Sequence, residues 1–355
     1  MNAAQLEKLL SPKRLILPIL LGLGVILYLF LKKYDLADLS SYNWSEVKWG
    51  WLFLGLSVVV IRHFGYMWRI RVLSDKVISW SRSFTVVSLW EFASAVSPSA
   101  VGGTAVALFI LAKEKVNAGK ATTIALSTLL LDLLYFLISV PLLLYLVGQG
   151  RFFGKSVDCI ENSDVAVMRA FGSLQKPFLI GYSLMLLICC LLAYGLFRDP
   201  KRFRQLLVRC TYIPFFRKLR AKAFKLGDEV VVASKELSQK SFSFWGQAFA
   251  GTALSWTGRF FLINCLISAF SMGAFSQLVL LSRYFLLWIV LVIPSTPGAS
   301  GVAELSFSGI FCEFLTPGSE PIVLVLWRLL SYYFYLILGF IVFPRWLRRV
   351  LVKND

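Results

Sequence analysis

Apolar residues in this chain form continuous runs of about 20 residues, the length that crosses a bilayer core as an α-helix. Six such runs predict full transmembrane helices over 15–31, 50–68, 121–147, 178–197, 244–270 and 321–343. Shorter segments rich in Lys and Arg separate them. Because a helix satisfies its own backbone hydrogen bonds in lipid, the pattern predicts an all-α polytopic membrane protein.

Two further apolar segments, 83–112 and 275–315, are each interrupted near the middle by helix-breaking residues. The interrupting residues are Pro98, Gly102 and Gly103 in the first segment, and Pro294, Pro297, Gly298 and Gly301 in the second. At a fixed offset of 196 residues, identical residues stand opposite Pro98, Ser99, Gly102, Val106 and Ala107. Repeated breaks of this kind are typical of re-entrant hairpins in an inverted repeat, with a substrate site near the membrane midplane.

The distribution of Lys and Arg sets the orientation, because cytoplasmic loops carry the excess of positive charge. With the amino terminus inside and both broken segments re-entrant, 26 of the 37 Lys and Arg residues lie in inside segments. If each broken segment were instead a single kinked crossing, the basic loop 198–243 would lie outside, against that rule. The sequence therefore predicts a multi-pass protein of the cell (inner or plasma) membrane with both termini in the cytoplasm.

The same pattern predicts five parts along the chain. They are an amino-terminal helix and outer loop (1–49), a first membrane repeat (50–147), a connecting region (148–243), a second membrane repeat (244–343) and a basic tail (344–355). In the connecting region, residues 202–237 mix basic and apolar side chains at helical spacing. That mixture is typical of an amphipathic helix pair at the membrane interface.

Composition supports a membrane protein, since 58% of the residues are hydrophobic, 16% are charged and the mean hydropathy is +0.72. The net charge of +18 comes from basic residues beside the spans, which favours anionic lipid headgroups over nucleic acid as their partner. The six cysteines form no Cys-x-x-Cys pair and His63 is the single histidine, so we expect no metal site, disulfide framework or catalytic triad. His63 is either a proton carrier or an imidazole hydrogen-bonded to a neighbouring helix.

Ionisable residues inside the apolar segments are costly, so each needs a structural or functional reason. They are Arg62, Glu91, Asp132, Arg259, Arg283, Glu304 and Arg328. If they line one cavity, the excess of guanidiniums favours an anionic group such as phosphate. Alternatively they form buried ion pairs that fix helix register, for example Asp132 with Arg328, while Arg283 lies near enough to the outer surface to snorkel. The sequence leaves both interpretations open.

A half-helix begins after each break, and its free N–H groups and positive dipole end favour an anion in the membrane interior. Thr104 and Ser300 stand at the same register and are candidates for capping these half-helices. Glu304 follows Ser300 by one turn on the same face. The candidate substrate-binding residues are therefore Arg62, Asp132, Arg259, Glu304, Arg328, Thr104 and Ser300.

Three short patterns near these residues carry a resemblance to a known family. The pattern Pro-x-Thr-Pro-Gly-Gly-x-Gly-Val-x-Glu is met, except at Ala299, by Pro294, Thr296, Pro297, Gly298, Gly301, Val302 and Glu304. The first break offers Pro98, Gly102 and Gly103, followed by Asp132, and the last pattern is Arg328, Leu329, Leu330, Ser331 and Tyr332. Over about 10–345 the chain resembles the transmembrane region of the lysylphosphatidylglycerol synthase family, a flippase-like domain. Thr104 stands where many members have Glu.

The resemblance implies a free-standing member, without the synthase domain, that moves a lipid or recognises a lipid-linked headgroup between leaflets. The alternatives are a membrane-embedded transferase with Glu91, Asp132 or Glu304 as general base, and a non-transporting scaffold for a lipid-modifying enzyme. The sequence carries no nucleotide-binding loop, so we expect no direct ATP use and no cofactor, and favour a transporter over an enzyme. The expected partner is a membrane phospholipid or lipid-linked substrate with an anionic group, alongside a second copy of the chain or a lipid-modifying enzyme.

Overall fold

The computed structural model describes residues 44–96, 100–114, 116–153, 175–212, 217, 220–271, 273–291, 302–316 and 318–351. Within these ranges the chain is almost entirely helical and has no β-strand. Five helical segments are long and apolar enough to cross a membrane: Trp49–Leu73, Gly119–Val147, Gln175–Arg198, Phe242–Phe270 and Glu320–Val350. They confirm the all-α polytopic class and five of the six predicted spans, and the sixth, 15–31, lies outside the described residues.

The α-helices are numbered in chain order. They are α1 (Trp49–Leu73), α2 (Trp80–Val96), α3 (Ala100–Lys113), α4 (Ala118–Val147), α5 (Gln149–Phe153), α6 (Gln175–Ala193), α7 (Pro200–Cys210), α8 (Arg220–Leu237), α9 (Phe242–Phe270), α10 (Gln277–Val290), α11 (Val302–Phe311), α12 (Glu320–Arg328) and α13 (Phe334–Leu351). A π-helical turn, Tyr194–Arg198, extends α6, and another, Leu329–Tyr333, joins α12 to α13 in one span. Short 3-10 helices cover Trp44–Glu46 and Cys312–Phe314.

Side-chain caps determine where three of these helices begin. Asn117 accepts a hydrogen bond from the Lys120 backbone N–H at 2.7 Å at the start of α4. Ser241 caps α9 in the same way, and Asp199 caps α7 immediately before Pro200. Caps of this type satisfy backbone donors that have no partner in the first helical turn.

One end of the helix bundle gathers the segments that were predicted to lie inside. Asp75, in the turn after α1, forms ion pairs with Lys120 of α4 and with Lys240 before α9, the latter at 2.7 Å. Lys120 also pairs with Glu236 of α8. Burial opposes the charge on Asp75, but the two lysine ammoniums hold the pKa of its carboxyl below the usual value. We call this end of the bundle the basic end.

The opposite end, called the far end below, joins the start of α1 to the end of α9. The backbone N–H of Lys48 donates to the Ala269 carbonyl at 3.0 Å, and Lys48 Nζ donates to the Ser271 carbonyl at 2.9 Å. Ser271 Oγ in turn donates to the Phe314 carbonyl at 3.1 Å. Helices α1 and α9 therefore run antiparallel to each other.

Helices α2 and α3 pack side by side, and both of their outer ends lie at the basic end. Arg82 Nε, near the start of α2, is 3.7 Å from Glu114 Oε2, which follows α3. At Gly103 a Cβ would lie 2.3 Å from Ser94 Oγ, so glycine permits this close contact. Because Gly102 and Gly103 lie in the first turn of α3, the interruption itself falls on residues 97–99, outside the described residues.

Helices α10 and α11 have their outer ends at the far end. Gln277, at the start of α10, accepts from Asn264 Nδ2 at 2.9 Å near the end of α9. The rings of Phe275 and Phe314, which flank α10 and α11, lie 5.5 Å apart. The outer ends of α2 and α3 thus lie at the basic end, whereas those of α10 and α11 lie at the far end. Of the second interruption, Pro294, Pro297, Gly298 and Gly301 lie outside the described residues.

Helices α7 and α8 occupy the stretch that was predicted to form an amphipathic pair. They pack against each other, and Arg204 Nε of α7 lies 2.7 Å from Asp228 Oδ1 of α8. Phe203 points to the protein side of α7, where a Cβ at Gly195 would lie 2.7 Å from its ring. The connecting region therefore packs as a folded elbow at the basic end.

We expect Lys76→Gly to raise the free energy of unfolding by roughly 0.5–1 kcal/mol. Lys76 is exposed and its backbone is left-handed, with a φ of 63°. This conformation is strained for a residue that has a Cβ atom, but not for glycine. Denaturant unfolding in mixed micelles measures the change. Lys76→Ala is the matched control, because it removes the charge and keeps the strain, and a gain of equal size in that control would contradict the explanation.

Candidate functional site

A single carboxylate near mid-depth of the bundle connects both halves of the chain. Glu91 of α2 accepts from Arg62 Nη2 of α1 at 2.5 Å. It also accepts from Arg259 Nη2 of α9, at 2.7 Å through Oε2 and 3.0 Å through Oε1. At 1.5 Å per residue, Arg62 lies about 20 Å from the far end of α1. The carboxylate of Glu91 thus bridges two guanidiniums that the sequence placed in different repeats.

Beside this bridge, a second carboxylate is held by groups from α1 and α9. Asp132 Oδ1 of α4 forms an ion pair with Arg69 and accepts from Trp256 Nε1 at 2.6 Å. Arg69 Nη1 also lies 3.4 Å from Thr252 Oγ1. Three long helices are therefore joined through one aspartate.

Aromatic rings connect the two carboxylate groups into one cluster. The Tyr66 ring lies 4.8 Å from the Arg69 guanidinium, 5.9 Å from that of Arg259 and 6.0 Å from that of Arg62. The Trp256 ring lies 4.8 Å from Arg259 Cζ, and the Tyr335 ring lies 4.4 Å from Arg62 Cζ. We call this set the central cluster; its charged members are Arg62, Arg69, Glu91, Asp132 and Arg259.

The central cluster holds three guanidiniums against two carboxylates, so it carries one excess positive charge. Its arginine side chains are at most 14% exposed, whereas those of Glu91 and Asp132 are 18% and 22% exposed. Four guanidinium nitrogens have no hydrogen-bond partner among the described residues: Arg62 Nε and Nη1, Arg69 Nε and Arg259 Nε. Unused donors and an unbalanced positive charge in a low-dielectric interior favour an anion.

Glu304 and Arg328 form a separate buried pair. Glu304 lies in the first turn of α11 with no exposed surface, and its Oε1 is 2.7 Å from Arg328 Nε. The Arg328 guanidinium stands 4.6 Å from the Tyr332 ring, and the Tyr332 hydroxyl donates to the Ala95 carbonyl in the last turn of α2. The Glu304–Arg328 ion pair therefore lies next to the carboxyl-terminal end of α2.

The predicted pairing of Asp132 with Arg328 is wrong. Asp132 pairs with Arg69, because α1 continues to Leu73 and carries Arg69 into the bundle. Arg328 pairs with Glu304, because the first turn of α11 faces the end of α12. A match at equal positions in two repeats does not bring two side chains into contact.

The expectation that Arg283 snorkels to the outer surface is also wrong. Its side chain is 1% exposed, with Nη2 2.6 Å from Glu313 Oε1 and Nη1 donating to the Phe152 carbonyl at 3.0 Å. These partners keep the guanidinium inside the protein near the far end, away from the central cluster.

Three sequence-predicted candidates remain, namely Thr104, Ser300 and His63. Thr104 lies in the second turn of α3, which begins at Ala100, so it is not the N-cap residue of that helix. Ser300 lies outside the described residues. His63 is buried with its ring centroid 4.9 Å from that of Phe84, and neither ring nitrogen has a partner among the described residues. Neither expected role of His63 is therefore supported by a hydrogen bond.

Arg69 is the charged cluster member that sequence reasoning missed, because the predicted span ended at residue 68. Its signal is the spacing of Arg62, Tyr66 and Arg69, which places all three on one face of a helix.

Metal and cysteine chemistry of the described ranges differs in part from the sequence prediction. They contain no group of three or more His, Cys, Asp or Glu side chains that could hold a metal ion. Cys312, at the far end, is disulfide-bonded, with its partner outside the described residues. The expectation of no disulfide is therefore wrong at this position, since cysteine spacing does not reveal pairs that are distant along the chain.

Comparison with known proteins adds two matches. The sequence model of the family described as "Lysylphosphatidylglycerol synthase TM region" matches residues 15–339. A UPF0104 membrane protein of Archaeoglobus fulgidus is 24% identical over 338 residues, which cover 90% of this chain and 93% of that protein. No solved structure matches the chain significantly. The matched range contains the whole central cluster and the Glu304–Arg328 pair.

Proposed function

Since the chain belongs to the family of the lysylphosphatidylglycerol synthase TM region, we propose that it moves an anionic phospholipid or lipid-linked substrate between leaflets. The observation that carries the proposal is the Glu91 bridge between Arg62 and Arg259. Transporters built from two repeats bind their substrate near mid-depth, between helices of both halves. A buried charged group at that depth marks such a site. Phosphate or another headgroup anion fits the unused guanidinium N–H donors.

Re-entrant hairpins formed by α2–α3 and α10–α11 are part of this proposal. Support comes from the position of their outer ends, the first pair at the basic end and the second at the far end. Their lengths agree, because α2 has 17 residues and α10 has 14, or about 25 and 21 Å, less than the roughly 30 Å hydrocarbon core. In this arrangement the two halves rock against each other around the central cluster.

We further propose that the protein lies in the cell membrane with the basic end towards the cytoplasm. The excess of Lys and Arg at that end favours this orientation. The disulfide of Cys312 at the far end agrees with it, because disulfides persist in oxidising surroundings. Both termini are then cytoplasmic.

A transferase is less compatible with the contacts of its candidate general bases. Glu91 is engaged by two guanidiniums, and Asp132 and Glu304 by one each. A carboxylate that is held in this way turns its lone pairs to guanidinium donors rather than to the hydroxyl of a substrate. The same contacts suit a site in which a substrate anion competes for the arginines.

The proposal is tested by lipid movement in proteoliposomes. We expect the native protein to bring headgroup-labelled phosphatidylglycerol from the inner leaflet within reach of an impermeant quencher faster than protein-free vesicles do. Arg259→Lys keeps the charge but removes the forked donor, so we expect it to slow this step about tenfold. Labelled phosphatidylcholine, which has no net charge, is expected to move more slowly than phosphatidylglycerol.

Arg283→Lys is the matched control, since Arg283 is as buried as Arg62 and forms an ion pair outside the central cluster. It is expected to retain the native rate in vesicles that contain an equal amount of folded protein. A native rate equal to that of empty vesicles contradicts the translocase. A normal rate for Arg259→Lys together with a slow rate for Arg283→Lys contradicts the assigned site.

A further inference from the structure

A groove opens at the basic end where the span that contains α6 meets α7. It is about 610 Å³ in volume and is lined by Tyr194, Arg202, Gln205, Leu206, Arg209 and Cys210. Arg202, Leu206 and Arg209 follow one another at helical spacing, so they share one face of α7. The groove therefore has two guanidiniums at its rim and an apolar residue between them.

The two arginines leave donors available for a further anion. Arg202 Nε lies 3.0 Å from Asp199 Oδ2, which orients a side chain that is otherwise 77% exposed. Arg209 is exposed and has no ion-pair partner among the described residues. On the opposite face, α7 is fixed to the protein through the buried ring of Phe203 and the ion pair of Arg204 with Asp228. The groove thus faces away from the protein on a supported helix.

The apolar surface of α6 leads directly into this groove. Large apolar side chains are exposed along the helix, and they continue into the π-helical turn: Leu179, Ile180, Leu184, Leu187, Tyr194 and Phe197. In a membrane such a stripe faces acyl chains. A lipid that lies against α6 would bring its headgroup to the level of Arg202 and Arg209.

We propose that this groove binds one anionic phospholipid of the leaflet at the basic end, with its headgroup between Arg202 and Arg209 and its chains along α6. Guanidiniums suit a phosphate because they donate two parallel hydrogen bonds. The site is separate from the central cluster, and it does not depend on whether the protein transports lipid. Because α7 and α8 connect the two halves, the bound lipid fastens that connection to the membrane surface.

Cys210, a free and exposed cysteine in the lining of the groove, provides the readout. The full-length protein, with exposed Cys190 replaced by Ser, is placed in nanodiscs of phosphatidylcholine or of phosphatidylcholine with about one-fifth phosphatidylglycerol. A soluble maleimide then alkylates Cys210. We expect phosphatidylglycerol to slow this reaction about fivefold, and the Arg202→Gln, Arg209→Gln double variant to remove that protection.

The matched control is Lys201→Gln, which removes an exposed positive charge from the same helix but does not line the groove. It is expected to behave like the native chain. Equal alkylation rates in the two nanodisc types overturn the proposal. An equally large loss of Cys210 protection in Lys201→Gln and in the double variant also overturns the proposal. Protection of Cys210 by soluble glycerol phosphate in pure phosphatidylcholine overturns it too, because the site then does not select a lipid.

Discussion

Glu91→Gln is expected to lower the free energy of unfolding by about 3–5 kcal/mol, since it leaves two buried guanidiniums without their shared carboxylate. Arg62 and Arg259 both point their Nη2 groups at Glu91, and the Gln amide offers them no negative charge. The excess positive charge of the central cluster rises from one to two. Repulsion between the arginines then acts directly on the contact between α1 and α9. Denaturant unfolding in mixed micelles measures the loss.

A charge-balanced variant provides a second test, because Glu91→Gln alone is prone to misfold. Glu91→Gln combined with Arg62→Gln restores one excess positive charge, so we expect it to recover part of the lost stability. The exposed pair Arg204 and Asp228, also at 2.7 Å, is the matched comparison, and Asp228→Asn is expected to cost less than about 1 kcal/mol. A similarly small cost for Glu91→Gln, or a double variant less stable than the single one, contradicts a charged bridge.

Hydropathy predicted the spans well because a membrane imposes length and apolarity on a crossing helix. The prediction of 121–147 corresponds to α4 at Ala118–Val147, and 178–197 corresponds to Gln175–Arg198. The same rule misplaced the end of α1, since Arg69 and Arg71 were assigned to a loop. Arg69 remains inside the helix because Asp132 and Tyr66 compensate its charge, and those partners come from the tertiary fold.

The candidate charges were predictable as a set, whereas their pairing was not. Charged residues in apolar segments are visible in any sequence, and Arg62, Asp132 and Arg259 do meet in the central cluster. Which carboxylate meets which guanidinium depends on helix rotation and depth, and these are set by packing. Glu91 bridges Arg62 and Arg259 because the packing of α2 turns this side chain towards both α1 and α9. Composition and spacing do not encode that orientation.

Small residues permit close packing where α1 crosses α9. A Cβ at Gly65 would lie 2.7 Å from Ser255 Oγ and 2.9 Å from the Gly251 carbonyl oxygen. At Gly258 a Cβ would lie 3.2 Å from Arg62 Cβ. Small residues are the usual means by which membrane helices approach this closely. The position of Arg62 relative to Arg259 therefore depends on glycines as well as on charges.

We expect Gly65→Leu to lower the free energy of unfolding by about 3 kcal/mol, at the upper end of overpacking costs, because two of the three nearest atoms belong to the α9 backbone and cannot rotate away. The helices must separate, which also weakens the hydrogen bonds of Arg62 and Arg259 to Glu91. Gly50→Leu is the matched control on the same helix, since a Cβ there meets nothing within 4 Å, and we expect it to be neutral or stabilising. Equal unfolding midpoints for the two variants would show that α1 and α9 do not meet at Gly65. A loss confined to Gly65→Leu places the contact that positions the central cluster at this crossing.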